Sequence, residues 1–270
     1  TMNETLLTRA VTVGHAGTSL DPDGVCRRVP VVIDVEGRLL PSLSLAAVMR
    51  LLGIDPKDIR FVEPGVLRVG STSLAEPLDI PLDPEGRMLI NYPPRWQDVM
   101  DRRSYAMQLE SLAEFPEDMA EGLAERAVII GETQSAGGDF VPTPFEKSVP
   151  GMVVVAATMN TILKRDFITA VPGLWVSVLS VAAAVLAGLV FFLLRPLPAC
   201  LAAAFLTILI LAASPVLLYS ADCFFPSATP VIAVLLASAV LVSMRLAGEH
   251  RRAVRSAGLL ARFVSPSILD

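Results

Sequence analysis

The chain has 270 residues, 53% of them hydrophobic and 18% charged, and its formal net charge is -5. Two His and three Cys, far apart in the chain, exclude a metal centre built from converging ligands and a disulfide framework. The basic tail Arg245–Arg255 is too short and too near an apolar stretch to make a nucleic-acid-binding surface, and there is no Gly-rich phosphate loop.

The first segment, Met2–Leu20, offers only the short strand-like run Ala10–Val13. Arg27–Val35 is β-branched and reads as a strand closed by a turn at Glu36-Gly37. Pro41-Ser42 opens a helix. Ser42 is its N-cap, Leu43, Ala46, Ala47, Met49 and Leu51 form its apolar stripe, and Gly53 stops it. Strands are predicted at Ile59–Val62 and Val66–Val69, divided by Glu63-Pro64-Gly65. The turn Asp83-Pro84-Glu85-Gly86 joins extended runs at Leu78–Leu82 and Met88–Tyr92.

Helices are expected at Ser104–Glu114 and Glu117–Leu123, and a strand buried on both faces at Ala127–Gly131. A Gly- and Pro-rich loop leads from that strand to a helix at Met152–Arg165. Strand, loop and helix in that order suggest a parallel crossover, so α/β is the expected class of this region. The sheet lacks strands for a full core. The region therefore reads as the C-terminal part of a domain, with a signal anchor expected upstream because Thr1–Thr5 is no signal peptide.

The last third changes character. Gly173–Leu194, Ala199–Ala221 and Thr229–Met244 with its lead-in from Cys223 are apolar, and Arg195 and Asp222 are the only charges among them. About 20 apolar residues in a helix cross a hydrocarbon core of about 30 Å. A helix of a soluble core has one face in water and would show a polar stripe, which none of these segments does. Three transmembrane helices follow. Arg195 and the segment Arg245, Arg251, Arg252 and Arg255 belong inside by the positive-inside rule, and the Asp222 loop outside. Residues 1–172 are then extracytoplasmic in a multi-pass membrane protein. Its expected organisation is an extracytoplasmic region over 1–170, a three-helix region over 171–246 and a cytoplasmic linker over 247–270.

Cys200 and Cys223 sit near opposite ends of the second span and cannot bridge. A disulfide between Cys26 and Cys223 has no supporting spacing, so all three read as packing residues. Asp79 and Asp83 are carboxylates without a nucleophile or base beside them. No catalytic residue, metal site or cofactor is expected in this chain.

Several motifs carry a resemblance. Asp21–Pro30 (DPDGVCRRVP) resembles "PD-x-DG-x-x-R-x-VP", Leu40–Leu45 resembles a "PSLAL" helix start, and Gly86–Tyr92 resembles "G-x-x-LINY". Val128–Gly131, Gly138-Asp139, Thr143-Pro144-Phe145 and Pro150-Gly151 resemble "VLIG…G-x-x-D…TPF…PGVE". In this order they are similar to the second type of CHASE domain, the extracytoplasmic sensor of bacterial cyclases and histidine kinases, which three transmembrane helices typically follow. Where that family continues "PGVEVHAN", this chain reads Pro150–Ala157 (PGMVVVAA), so roles of the acid and the His do not transfer. Ala261–Leu269 resembles the "F-x-RYVSP-x-VV" element leading into class III adenylate/guanylate cyclases, with Phe263 in place of Tyr. The resemblance implies a receptor-type cyclase making cyclic AMP. The alternatives are a histidine-kinase sensor, or a membrane assembly or transport component; the latter lacks the charged residues a transport path needs in its spans.

In a parallel sheet ligands gather where loops leave strand C-termini. That makes Glu132, Thr133, Ser135, Asp139 and Thr143 the candidate binding residues for an unknown extracytoplasmic ligand, although Asp139 and Thr143 suit turn chemistry equally. In the linker, Ala247, Val254 and Ala261 share one heptad position and His250, Ala257 and Val264 another. This is a narrow seam for a parallel homodimer. Arg251, Arg252 and Arg255 can meanwhile contact anionic membrane lipid.

Overall fold

A computed structural model describes residues 12–70, 77–98, 103–114, 127–133 and 139–263. The chain forms two compact units, Thr1–Thr169 and Ala170–Asp270.

The first unit is mixed α/β. Its strands are β1 (Arg28–Pro30), β2 (Val32–Val35), β3 (Arg38–Pro41), β4 (Ile59–Glu63), β5 (Val66–Val69), β6 (Leu78–Pro81), β7 (Arg87–Leu89), β8 (Phe140–Val141) and β9 (Val149–Pro150). Its helices are α1 (Leu43–Leu51), α2 (Tyr105–Glu114) and α3 (Gly151–Lys164). The pairs β1–β7, β2–β3, β4–β5, β5–β6 and β8–β9 are all antiparallel. The expected parallel crossover is therefore not found among the described residues. The short connections of β2–β3 and β4–β5 allow only antiparallel pairing, since parallel strands need a crossover of a dozen residues or more.

The extended run Arg27–Val35 is broken at Val31, whose side chain is fully buried, and its halves join different partners. β2 turns into β3 through Glu36 and Gly37, both with positive φ (54° and 79°), the geometry a two-residue hairpin favours. The Asp34 carboxylate holds that turn by accepting from Gly37 N–H at 2.7 Å. β6 and β7 flank the Asp83–Gly86 turn but do not pair with each other: β6 joins β5 and β7 joins β1.

Ser42 caps α1 as predicted, its hydroxyl accepting from Leu45 N–H at 3.2 Å, and Gly53 follows the helix with φ +66°. The buried face differs from the predicted stripe. Leu45, Val48 and Met49 are buried while Leu43 and Leu51 are exposed. Ser44 explains the rotation: its hydroxyl donates to Val155 O of α3 at 3.0 Å, which turns that side inward. The core of the unit lies where α1 and α3 meet the strands, among Leu45, Leu67, Ile80, Met88, Val154 and Ile162. Gly14 allows a close backbone approach there, because a Cβ would lie 2.6 Å from Leu43 Cα.

Ala127–Gly131 is not a strand and is not buried on both faces. Val128 and Ile130 are 58% and 70% exposed, and only Ile129 packs against the core. An apolar run becomes a buried strand only if neighbouring strands supply its ladder, and no described strand lies alongside it. The predicted helix Glu117–Leu123 falls outside the described residues, as does the first half of Ala10–Val13.

The second unit holds three helices, α4 (Gly173–Leu193), α5 (Pro196–Ala221) and α6 (Ala228–Phe263). Spans Gly173–Leu193, Pro196–Ala221 and Ala228–Arg251 are each long and apolar enough to cross a membrane. Small residues line many of the helix contacts of this unit, beside larger buried side chains such as Val176, Phe191 and Val234. Ser180, Ala183 and Ala187 on α4 are buried, as are Ala199 and Ala203 on α5. Small side chains let helix backbones approach in lipid, where van der Waals packing replaces the hydrophobic drive. Hydroxyls of Ser177, Ser180, Thr207, Ser220 and Ser243 donate to the carbonyl four residues back, so they leave no unsatisfied donor in lipid.

Candidate functional site

The motif Asp21–Pro30 builds an ion-pair network. Asp21 N–H donates to Val25 O and Gly24 N–H to Asp21 O, a turn in which Gly24 takes φ +80°. This aims two carboxylates at the arginines that follow. Asp23 takes a two-pronged bond from Arg27 (2.8 Å each), while Asp21 accepts from Arg27 at 3.1 Å and Arg28 at 2.7 Å. The Arg27 guanidinium holds the Asp23 carboxyl down at about 2, and the same bond raises Arg27.

Because β1 pairs with β7, the second turn, Asp83–Gly86, joins this network. Asp83 accepts from Arg87 Nε at 2.9 Å and from the backbone N–H of Glu85 and Arg87. Arg28 Nε lies 3.4 Å from Asp83, an ion-pair distance without hydrogen-bond alignment. Every carboxylate and guanidinium named here is engaged with its neighbours, so these motif residues pin two turns to a strand pair. They have a structural use before any ligand is considered.

Behind the network, Cys26 is fully buried and faces the Tyr92 hydroxyl. Burial pushes both groups above their ordinary values, so both are neutral at physiological pH. Cys26 is thus the packing residue the sequence suggested, and all three cysteines are unbridged.

The predicted ligand residues separate. Glu132 and Thr133 are exposed, and Ser135 lies outside the described residues. Asp139 and Thr143 sit on either side of β8. Thr143 is buried, and its hydroxyl both accepts from Glu146 N–H (3.2 Å) and donates to Glu146 O (3.3 Å), which closes the Thr143–Glu146 turn. Asp139 O accepts from Gly151 N–H at 2.9 Å, and its carboxylate occupies the space a Cβ on Gly151 would need. A carboxylate at the first residue of α3 complements the positive end of that helix. The premise that this loop leaves a parallel strand is not met, since Ala127–Gly131 is no strand.

A groove that the sequence reading did not single out lies elsewhere in the same unit, with a volume of about 550 Å³. Val62, Val66, Pro81 and Phe167 form its apolar walls, and Arg68, Asp79 and Arg165 its charged side. Arg68 and Asp79 are opposite each other across β5 and β6 and meet through two bonds of 2.6 Å. That pairing lowers Asp79 and raises Arg68, with Arg165 adding to the pull on Asp79. Arg165 reaches this position as the left-handed residue (φ 55°) that ends α3. Asp79 and Arg68 are eleven residues apart, and only the antiparallel register brings them together.

In the linker, Ala247, His250 and Val254 are exposed along α6, Ala257 and Ala261 are helical, and Val264 lies outside the described residues. The helix is continuous from the third span to Phe263. Among the described residues no group of His, Cys, Asp or Glu could hold a metal.

Residues 3–190 match the family model of the CHASE2 domain. No curated protein and no solved structure matches the chain. A sensor-domain match that runs into the first of three membrane-spanning helices makes this a multi-pass membrane protein of signalling type. The chain belongs to the CHASE2 domain family.

Proposed function

We propose that the chain is the sensory input and anchoring module of a bacterial inner-membrane receptor, and that its output is a class III nucleotide cyclase making cyclic AMP. CHASE2 is an extracytoplasmic sensor domain of signalling proteins. The observation that carries the coupling is α6, one uninterrupted helix from Ala228 to Phe263 that leaves the third span without a break. A continuous helix conveys rotation or tilt from one end to the other, whereas a flexible linker would dissipate it. The cyclase output is supported by the resemblance of Ala261–Leu269 to the element preceding such catalytic domains.

The unknown ligand has two candidate places, the Glu132–Thr143 loop with Asp139 and the groove beside Arg68, Asp79 and Arg165. The linker seam of Ala247, His250, Val254, Ala257, Ala261 and Val264 pairs two copies, while Arg251, Arg252 and Arg255 meet anionic lipid.

Phase tests this reading. One residue inserted between Glu249 and Arg262 rotates everything beyond it by about 100°, and seven residues nearly restore the face. With a class III catalytic domain fused after the linker and cyclic AMP measured in cells, the single insertion should change output and abolish its regulation. The heptad insertion should keep both near the parent. Identical output from both would make the linker a flexible tether and overturn the coupling.

A further inference from the structure

Arg245 is a cation near the inner end of an otherwise apolar span, a position that needs a compensating partner. Its guanidinium NH1 donates to the carbonyl of Leu194 at 2.8 Å. Leu194 is the C-cap of α4, its own N–H donating to Val190 O. The last carbonyls of a helix have no partner within it and carry the negative end of its dipole, so a guanidinium there satisfies an orphan acceptor and a field together.

The opposite end of α4 is tied as well. Val171 N–H, just before α4, donates at 3.0 Å to Phe224 O in the short strand Cys223–Phe224 that precedes α6, and the Ser214 hydroxyl of α5 donates to Phe225 O at 2.8 Å. Between these ties Val176, Ala183 and Ala187 of α4 pack with Val234 of α6, and Phe191 packs with Leu241 and Val242.

We infer that Arg245 is a clamp which, with the Val171–Phe224 tie at the other end, makes the first and third spans one mechanical body. A displacement of the first span then reaches the cytoplasmic helix as a rigid movement of the pair. It does not slide one span along the other, because sliding would break a bond at each end of the pair. The purpose of the clamp rests on the sensory reading. Its existence does not, and the experiment reads helix geometry rather than output, so the clamp can fail while that reading stands.

The full chain, with Cys26, Cys200 and Cys223 replaced by Ala, carries spin-label pairs in lipid nanodiscs. Phe192→Cys with Met244→Cys reports the Arg245 end, and Leu174→Cys with Ile232→Cys the opposite end; all four positions face outward. Arg245→Met keeps length and apolar stem, removes the donor and favours insertion, so it tests the bond without endangering the fold. It should cost the Phe192–Met244 pair its narrow distance distribution and leave the Leu174–Ile232 pair as in the parent. Arg245→Lys, which restores a charged donor, should restore the narrow distribution. An unchanged distribution in Arg245→Met would mean that Arg245 only reaches for headgroups, and the clamp would be wrong. Equal broadening at both ends, or no rescue by Lys, would also overturn it, as general loosening of the helices.

Discussion

The two units put the same side chains in opposite places. In the sensor unit Leu45, Leu67, Ile80, Met88 and Ile162 are wholly buried, whereas in the helical unit Phe192, Leu174, Leu193 and Phe205 are 81%, 73%, 68% and 68% exposed, and Ser180, Ala183, Ala187, Ala199 and Ala203 share the buried face with a few large residues such as Phe191 and Val234. Water and lipid account for the inversion. Burying apolar surface away from water is the main drive of the first unit, at about 25 cal/mol per Å². The second unit gains nothing by hiding Leu from hydrocarbon, so it saves its interior for side chains small enough to let backbones touch.

The largest effect that would break this comparison comes from paired truncations. Ile80→Ala should destabilise the sensor unit by about 2–5 kcal/mol, through lost transfer energy and the cavity left behind. Phe192→Ala removes a larger side chain from a lipid-facing position and should stay within about 0.5 kcal/mol of the parent. The two tryptophans report the units separately, Trp96 in the first and Trp175 in the second. Denaturation of the detergent-solubilised chain followed by each fluorophore in turn, with the other replaced by Phe, reads the difference. A large loss from Phe192→Ala would place that ring in a protein contact and not in lipid.

Enlarging the small-residue seam is the converse. Ala187 is 1% exposed, so Ala187→Leu should force the helices apart at a cost of about 1–3 kcal/mol, visible as a lower unfolding midpoint of the Trp175 signal. In the sensor unit the same methyl-to-isobutyl change at a surface alanine should be silent. Tolerance at Ala187 would show that the spans are loosely associated.

The smallest effect is the acid dependence of the sensor unit. Asp23 and Asp79 titrate below the ordinary carboxylate value of 3.8 in the folded chain, Asp23 at about 2. Depressed carboxyls add stability that is complete above the unfolded value and is lost as pH falls through the folded one. The midpoint of the Trp96 transition should hold from neutrality to about pH 4 and then fall toward about pH 2, and Asp23→Asn should reduce part of that fall. Both groups are solvent-exposed, which keeps the effect slight. A midpoint that rises on acidification would reverse the sign argued here.

Local signals were legible wherever the physics was local. Ser42 could be named as a cap because its hydroxyl reaches an N–H three residues on, and the two strands divided by Pro64-Gly65 because their composition and the break between them are contiguous. The site was less legible. Arg68 and Asp79 gain their meaning from register across β5 and β6, and the Asp21–Arg28 motif meets Asp83 and Arg87 only because β1 pairs with β7. Ala127–Gly131 misled for the same reason, since its composition suits a buried strand but nothing in it states which backbone would lie beside it.

The sequence alone determined the three spans, the α1, α2 and α3 helices, the strand segments around Pro64-Gly65 and the family, because hydrophobic length, capping and motif order are properties of contiguous residues. Tertiary structure alone decided the β1–β7 pairing, the face of α1 that is buried, the groove at Arg68 and Arg165, and the bond from Arg245 to Leu194. Each of these depends on groups distant in the chain, the last of them 51 residues apart. Their encounter is settled by which backbone donors and acceptors remain to be satisfied once the local elements have formed.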